Sequence, residues 1–466
     1  MSQELRADYQ SQLLFPPCLE DWIPADHPSR FIREFVDAQD LAGLGFSRRE
    51  EGEPGRPNYS ADLLLKVWLY GYLNRIRSSR GLERACGEHL SLIWLTGGHM
   101  PDHNTLWRFW RDHTKALRRL FGQAVQVCVK AGLVGMAFHA VDGTKIQARS
   151  STRRHWKRKE LEALLARVEA SLQGMEEAVE RSEKKEKGEY RLPASLQDRE
   201  QLRQRIRESL ARLGPSEGSE PEAKLMKGEG GVRLSYNAQA VVDEKTGIVV
   251  AEKVVTDGSD NHQLVPMLEK TQEQLGAVAE QTVADGGYSS GESLLEAQQK
   301  KFEVLVNLPP EMRRRADKPF ASCNFRHDAE RDCCICPQGE VLPLSRVRQR
   351  PEGYSVREYR CKSFLSCPVR AQCSRDRQGR RVEISPHQGA VEWQRQKRED
   401  PSSRDLFKRR MATVEPVFGW AKEGLGFRRF TSWGLEAAGT QWAMLCTVLN
   451  LKKLYRPWKE GKVAFA

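Results

Sequence analysis

Apolar residues recur with a helical period through the first third of the chain. Behind Ser60, a residue type that caps helices, apolar positions repeat three and four residues apart. Further helices are predicted over about 79–89, over the run LSLIWLTG and over PDHNTLWRFWRDHTKALRRLFGQAVQ, where Asn104 or Thr105 can act as the N-cap. The pattern therefore predicts an all-α N-terminal domain over residues 1–128.

The period then changes from helical to strand-like. Residues 131–150 contain an apolar run that stops at Asp142-Gly143, so we expect Asp142 to end the first core strand. Two β-rich runs follow as a hairpin, and after a helix that starts near Asn261 a short apolar strand stops at Asp285. The order of strand, hairpin, helix, strand, helix and strand predicts an α/β fold with an RNase H-like mixed sheet.

Two segments interrupt this order of elements. Residues 152–225 carry a heptad seam and then a second helical run, which predicts a helical-hairpin, coiled-coil-like insertion. Residues 311–402 combine short strand-like runs with clustered cysteines, which predicts a small Cys-rich β insertion. The expected catalytic core accordingly consists of residues 129–151 and 226–310, completed by C-terminal helices within 403–466.

The charge of the chain adds a polyanionic partner to this picture. A net charge of +12 and a pI near 9.2 favour nucleic acid. Arg108 and Arg111 lie on a basic helix behind a short turn, as in helix-turn-helix proteins, although a plain helical bundle has the same pattern. No apolar run approaches the roughly 20 residues that span a bilayer. Because the N-terminus has neither a basic nor an apolar leader region, we expect a cytoplasmic protein with no membrane partner.

Three acids stand out by their positions, namely Asp142, Asp285 and Glu415 on a later basic helix. Carboxylate oxygens are the ligands that Mg²⁺ prefers, and a pair of such ions can drive phosphodiester cleavage. Acids beside glycine are also ordinary turn formers, and Glu415 alone is explained equally well as a salt-bridge residue. Position alone therefore leaves both interpretations open.

The cysteines form a second candidate site. Seven of the eleven lie between residues 323 and 373, and in a reducing compartment we expect thiols or metal ligands rather than disulfides. The candidate ligands of a structural Zn²⁺ are Cys336, Cys361, Cys367 and Cys373. His327 could replace one of them. Because zinc ribbons usually have tighter cysteine pairs, reduced and partly buried thiols remain the alternative.

Four short segments resemble signatures of bacterial insertion-sequence DDE transposases. They are VDGTKI around Asp142, VADGGY around Asp285, VEPVFGWAKEGLGFRRF around Glu415, and PDHNTLWRFW, which resembles the end of an InsH-like N-terminal domain. They occur in the same order as in that family, and the resemblance extends over most of the chain, from about Tyr9 to Tyr455. Joint occurrence in this order is more specific than any of the short signatures alone.

The C-terminal signature, around Glu415, departs from its relatives at two positions. In related transposases it reads Y-x2-R-x3-E-x6-K. Glu415 and Lys422 keep the family spacing, about two helical turns apart and so roughly on one face, whereas Arg410 lies one residue further from the glutamate. Phe407 replaces the tyrosine. The assignment of the glutamate is unaffected, but the roles of the family's tyrosine and arginine do not transfer directly to Phe407 and Arg410.

The resemblance implies an enzyme that moves DNA. Asp142, Asp285 and Glu415 would bind two Mg²⁺ (or Mn²⁺) ions, and water-driven cleavage at transposon ends would precede attack of the 3′-OH on target DNA. The expected DNA contacts are Lys422, Arg410, Arg428, Arg429, Arg108 and Arg111. A homodimer is expected because two terminal inverted repeats must be brought together. The alternatives are a nuclease of the same fold without strand transfer, and a DNA-binding protein that no longer transposes.

Overall fold

The structure is a computed structural model of the 466-residue chain. It describes residues 18–46, 58–150, 162–173, 201–204, 207, 220, 222–228, 231–309, 312, 318–350 and 353–465. Most of the expected helical-hairpin insertion lies outside these residues. Within it, residues 162–173 are helical, and Arg207 donates a hydrogen bond to Glu169 at 2.7 Å. This bond joins the two helical runs of the segment.

The N-terminal region is helical, as the periodicity predicts. Its helices are α1 (Pro28–Asp37), α2 (Leu41–Leu44), α3 (Ala61–Leu73), α4 (Ser79–Glu88), α5 (Leu90–Leu95), α6 (His103–Asp112) and α7 (Thr114–Lys130). Ser60 stands at the N-cap of α3, where the sequence places it. These helices pack around buried aromatic side chains, and the indole of Trp68 lies 4.6 Å from that of Trp110, centroid to centroid.

The basic segment after residue 100 differs from its prediction in two ways. Asp102, rather than Asn104 or Thr105, caps α6, because its Oδ1 accepts the backbone N–H groups of both residues at 2.9 and 3.0 Å. An acid at this position satisfies two N–H groups that the helix leaves unpaired. The segment also forms two helices that meet at His113 instead of one continuous helix.

A mixed sheet forms the centre of the molecule. Its strands are β1 (Phe138–Gln147), β2 (Lys224–Gly228), β3 (Gly231–Asp243), β4 (Ile248–Val255), β5 (Gln281–Ala284) and β6 (Val304–Val306). β3 runs antiparallel to β1 on one side and to β2 and β4 on the other, whereas β5 and β6 run parallel to β1. The expectation that Asp142 ends its strand is wrong, because β1 keeps its pairing with β3 as far as Gln147.

Helices cover this sheet and connect it to the N-terminal region. They are α8 (Leu264–Leu275), α9 (Gly291–Gln299), α11 (Gln388–Glu399), α12 (Ser402–Gly419) and α13 (Leu435–Lys459). α13 packs against both α7 and β4, so the N-terminal helices and the sheet share one hydrophobic core. Trp442 of α13 is fully buried, and its Nε1 donates to the carbonyl of Gln239 at 2.9 Å.

A second, antiparallel sheet contains cysteines, as the sequence predicts. Its strands are β7 (Arg326–Asp328), β8 (Cys333–Ile335), β9 (Val341–Gln349), β10 (Ser355–Arg360) and β11 (Arg381–Ile384), and their spatial order is 11-10-9-8-7. A short helix, α10 (Arg370–Cys373), lies between β10 and β11 in the chain. This sheet packs around its own small core, separate from that of the central sheet. Among the described residues, no helix has both the length and the apolar character needed to cross a membrane.

Candidate metal and DNA-processing site

Asp142 and Asp285 lie side by side on neighbouring strands. β1 and β5 are parallel, with Val141 opposite Ala284, so the residue that follows each of them reaches the same level of the sheet. One oxygen of each carboxylate is held by a nearby backbone N–H. Gly143 donates to Asp142 Oδ1 at 2.8 Å, and Gly287 donates to Asp285 Oδ1 at 2.9 Å. The two predicted aspartates are thus brought together.

The side chain of Arg410 lies between these two carboxylates. It extends from α12, is only 9% exposed, and places Nη2 2.9 Å from Asp142 Oδ2 and 4.0 Å from Asp285 Oδ2. The sequence analysis names Arg410 as a DNA contact, whereas the structure places it as the counter-ion of two acids. The two carboxylates therefore share one positively charged partner, the Arg410 guanidinium, and the space between them favours positive charge.

The electrostatics of Asp142 also favour a cation. Burial raises the pKa of its carboxyl to about 6, because the charged form loses hydration. Arg410 acts in the opposite direction, while repulsion from Asp285 and Asp260 adds to the rise. Binding of a positive ion would hold both aspartates in their ionised forms.

A third carboxylate, that of Asp260, lies close to Gly143 and Gly287, which follow the two aspartates, and it is absent from the residues predicted from the sequence. A Cβ built at Gly143 would lie 2.8 Å from Asp260 Oδ1, and one at Gly287 would lie 3.3 Å from Asp260 Oδ2. Asp260 therefore contacts the backbone next to both aspartates. Its only signal in the sequence is an acid in the polar turn TDGSDN, which ordinary turn chemistry explains equally well.

Glu415 lies on the same helix as Arg410 but points elsewhere. It is exposed, and in an ideal helix the separation of five positions between the two corresponds to roughly 7.5 Å along the axis and about 140° around it. Across the described ranges, no group of three or more His, Cys, Asp or Glu side chains stands in an arrangement that could hold a metal. The structure thus brings together two of the three predicted acids and leaves Glu415 at the surface.

The regular spacing that relates Glu415 to Lys422 is interrupted. α12 ends at Gly419, and residues Trp420–Gly424 form a π-helical turn. A π-helix has more residues per turn than an α-helix, so a spacing of seven no longer returns to one face. The ideal α-helical spacing on which the expectation of a shared face rests is therefore not maintained from Glu415 to Lys422.

The other predicted DNA contacts are exposed, as contacts with phosphate require. Arg108 and Arg111 lie on the outer side of α6, and Arg428 and Arg429 follow the π-helical turn. Arg429 Nε also donates to the carbonyl of Ala148 at 3.1 Å, which ties this segment to the chain just after β1. All four arginines are exposed, and Arg111 and Arg428 are also ion-paired with Asp112 and Glu423.

The turn at Cys336 has two hydrogen bonds that end on sulfur. The backbone N–H groups of Gln338 and Glu340 both donate to Cys336 Sγ at 3.3 Å. Gly339, between them, has a φ of +83°, a conformation that glycine adopts without strain. Two backbone N–H groups of one turn are thus directed at a single sulfur.

The other candidate cysteines lie near this turn. Ser363 Oγ donates to Glu340 Oε1 at 2.6 Å, which joins the turn at Cys336 to the segment that follows Cys361. Cys361 belongs to the core of the second sheet, and Cys336 and Cys373 pack against it. Burial raises the pKa of the Cys361 and Cys373 thiols. The described structure assembles these cysteines around one small core without a preformed coordination geometry.

Two segments of the chain match known protein families. Residues 17–112 match a transposase domain designated DUF772, and residues 335–455 match a transposase DDE domain. The second match contains Glu415 and all four candidate cysteines, and it begins after Asp142 and Asp285 in the chain. Comparisons with curated proteins and with solved structures give no significant match.

Proposed function

Since this chain is a transposase with an N-terminal DUF772 domain and a C-terminal DDE domain, we propose that it cuts DNA at transposon ends and joins the 3′-OH to a target. The observation that carries this proposal is the adjacent pair of Asp142 and Asp285, each with one oxygen directed at the same cation, Arg410. Hard carboxylate oxygens of this kind fit Mg²⁺ or Mn²⁺.

The strand order supports an RNase H-like catalytic domain. β4, β3 and β1 pair antiparallel with one another in that order, and β5 and β6 then continue the sheet parallel to β1. In this arrangement the first acid stands on the central strand and the second just beyond the adjacent parallel strand. Polynucleotidyl transfer in such a site needs positioned acids rather than a covalent nucleophile.

We assign Asp142, Asp285 and Glu415 as the residues that would hold two divalent ions. Bound Mg²⁺ or Mn²⁺ would stabilise charge on the attacking and leaving oxygens of the phosphodiester. The chain itself positions the ligands, because Gly143 and Gly287 hold the aspartates by hydrogen bonds while Arg410 balances their charge. Glu415 must turn toward the pair for this assignment to hold.

The partners proposed for this reaction are transposon terminal inverted repeats and target DNA. Lys422, Arg428 and Arg429 are the proposed phosphate contacts near the acids, and Arg108 and Arg111 those of the N-terminal region. The exposure of the arginines on α6 and after α12 supports these roles. Two ends must meet in one complex, so we propose a homodimer as the synaptic species.

The proposal predicts that replacing either aspartate removes chemistry but not DNA binding. With Mg²⁺ and a supercoiled donor plasmid that carries the DNA flanking the gene, we expect Asp142→Ala and Asp285→Ala to reduce cleavage on the order of 10³-fold or more. Gel shifts with the same DNA should be unchanged. Asp405→Ala, which removes a 75% exposed acid from the same helix as Arg410, is the matched control and should cleave normally.

The products separate the proposed reaction from its alternatives. Strand-transfer products support transposition, cleavage without joining supports the nuclease, and a gel shift with neither supports a DNA-binding protein.

For Glu415, Glu415→Gln should lose activity while Glu423→Gln, a substitution of another exposed acid nearby, should retain it. Normal cleavage by Glu415→Gln would remove Glu415 from the site.

We also propose that Cys336, Cys361, Cys367 and Cys373 hold a structural Zn²⁺. The two N–H donors to Cys336 and the packing of Cys336, Cys361 and Cys373 around one small core support this assignment. Zinc binding requires the four sulfurs to converge further than they do among the described residues of this structure. A core this small gains stability from such a metal.

A further inference from the structure

A buried polar network lies on the face of the central sheet opposite the Asp142 side chain. Side chains alternate along β1, so Gly143 and Lys145 face away from Asp142. They pair with Gln239 and Asn237 of β3, whose amide side chains are fully buried. Burying two amides is costly unless their hydrogen bonds are satisfied, so the partners of these groups need an explanation.

Gln239 is the centre of this network. Its Nε2 donates to Asp260 Oδ1 at 2.7 Å and to Asn237 Oδ1 at 2.9 Å, and its Oε1 accepts the hydroxyl of Tyr288. Asn237 Nδ2 donates to the same Asp260 oxygen at 2.6 Å, and Lys145 Nζ lies 3.2 Å from it. One amide thus connects β3 to the loop before α8 and to the turn after β5.

Gly143 makes the approach of these groups possible. A Cβ at this position would lie 2.2 Å from Gln239 Nε2 and 2.9 Å from Asn237 Oδ1. Any side chain would therefore displace the network. Packing therefore explains why glycine follows Asp142. Without a side chain at position 143, the polar groups of the network can approach the strand that carries Asp142.

The two aspartates differ in how their backbones are held. Asp142 is in the middle of β1, where pairing with Ala240 of β3 fixes it. Asp285 follows the last residue of β5 and stands in the turn that contains Tyr288. Tyr288 is fully buried, and its hydroxyl bond to Gln239 connects that turn to the residue next to Ala240. The network therefore connects the backbone near Asp142 with the turn that carries Asp285. The distance between these two segments sets the distance between the carboxylates that would bind metal ions.

We propose that Tyr288, Gln239 and Asp260 are positioning residues that hold the turn of Asp285 at the correct distance from Asp142 for divalent cations. The inference rests on the proposed function and names further residues of the same site. Ligand positions must be kept within about 0.5 Å for productive geometry, and a hydrogen-bonded shell behind the ligands supplies that precision. Loss of the network is expected to weaken metal binding before it affects DNA binding.

Tyr288→Phe tests the proposal because it keeps the buried ring and removes only the hydroxyl. We expect its Mn²⁺ dissociation constant, measured by electron paramagnetic resonance on DNA-free protein, to rise about tenfold, which corresponds to about 1.4 kcal/mol. The Mg²⁺ concentration for half-maximal cleavage should rise by a similar factor, and saturating metal should restore most of the rate. Gel shifts with donor DNA should not change.

Tyr236→Phe is the matched control. Tyr236 is also fully buried on β3, but its hydroxyl lies 3.5 Å from Glu220 Oε1 and belongs to a different hydrogen bond. Its Mn²⁺ affinity should equal that of the wild type. The proposal fails if Tyr288→Phe keeps wild-type metal affinity, or if Tyr236→Phe loses as much, because general loosening of the core would then explain both.

A second pair of variants covers the case in which Tyr288→Phe does not fold. Asp260→Asn keeps an acceptor oxygen for Gln239 and Asn237, so a positioning role predicts near-normal metal affinity, with a loss only in Asp260→Ala. Equal losses in both would make Asp260 a metal ligand and overturn its assignment here. Wild-type protein that binds Mn²⁺ but never cuts DNA would refute the proposed function alone.

Discussion

The central sheet (β1–β6) and the cysteine-containing sheet (β7–β11) reach stability in different ways. β4 is buried along nearly its whole length, and the core around it continues into the N-terminal helices through α13. The second sheet has a core of few residues, and Val341 and Val347 of β9 are exposed. Apolar burial is sufficient for the first sheet, whereas the second requires additional stabilisation.

Charge supplies part of that stabilisation in the second sheet. Glu358 of β10 is 1% exposed, and its carboxylate lies 3.0 to 3.3 Å from the guanidinium groups of Arg346, Arg348 and Arg360. A buried acid of this kind is tolerated only when its charge is compensated. The central sheet also contains ionisable side chains that are buried and paired, His139 with Asp243 and Glu252 with Lys270. It differs from the second sheet in having a network around Gln239 that is assigned to the candidate site.

Removal of metal should have the largest effect and should divide the two sheets. We expect purified protein to contain one Zn²⁺ per chain. Cys336→Ser or a strong chelator should remove this ion, and the amides of β8, β9 and β10 should then lose their protection from hydrogen exchange. Structural zinc sites contribute on the order of 10 kcal/mol. β1 and β3 should keep their protection. Cys18→Ser, at an exposed cysteine, should keep the metal. Loss of protection in both sheets, or a zinc-free wild type, would contradict the division.

A cavity in the shared core should have the reverse effect. Trp442→Ala removes a fully buried indole and leaves the carbonyl of Gln239 without its donor, so we expect a loss of about 3–5 kcal/mol in the free energy of unfolding. Urea denaturation measures this loss. Trp433→Ala, at an indole that is 43% exposed, should cost under about 1 kcal/mol. Bound zinc should remain in both variants, and its loss in Trp442→Ala would show that the sheets are coupled.

The raised pKa of Asp142 in the central sheet should appear in the pH dependence of the free energy of unfolding. Its pKa rises from 3.8 to about 6 on folding, so its favourable contribution is present below pH 4 and is lost as pH rises through 6. In metal-free protein, the stability of the wild type relative to Asp142→Asn should fall by about 3 kcal/mol between pH 4 and pH 7. Urea titrations of both proteins measure this difference. Parallel pH curves would show that Asp142 is not desolvated as described.

Local pattern was sufficient for much of the fold. The hairpin turn between β3 and β4, the strand before Asp285 and the N-cap of α3 all follow from short stretches of residues. Asp102 was missed because the sequence offers three adjacent capping residue types, and only the backbone geometry distinguishes them. Asp260 was missed because nothing in its own turn indicates that β1 and the turn after β5 both come close to it.

The sequence by itself determined where the helices and strands lie and which acids could bind metal, because hydrophobic period and turn chemistry are properties of neighbouring residues. Tertiary structure decided the rest. Pairing with β3 extends β1 beyond Asp142, and the packing of α12 on the sheet directs Arg410 between the aspartates while leaving Glu415 exposed. Strand register and helix orientation depend on contacts between residues that are distant in the chain, and a single sequence does not encode those contacts as a local pattern.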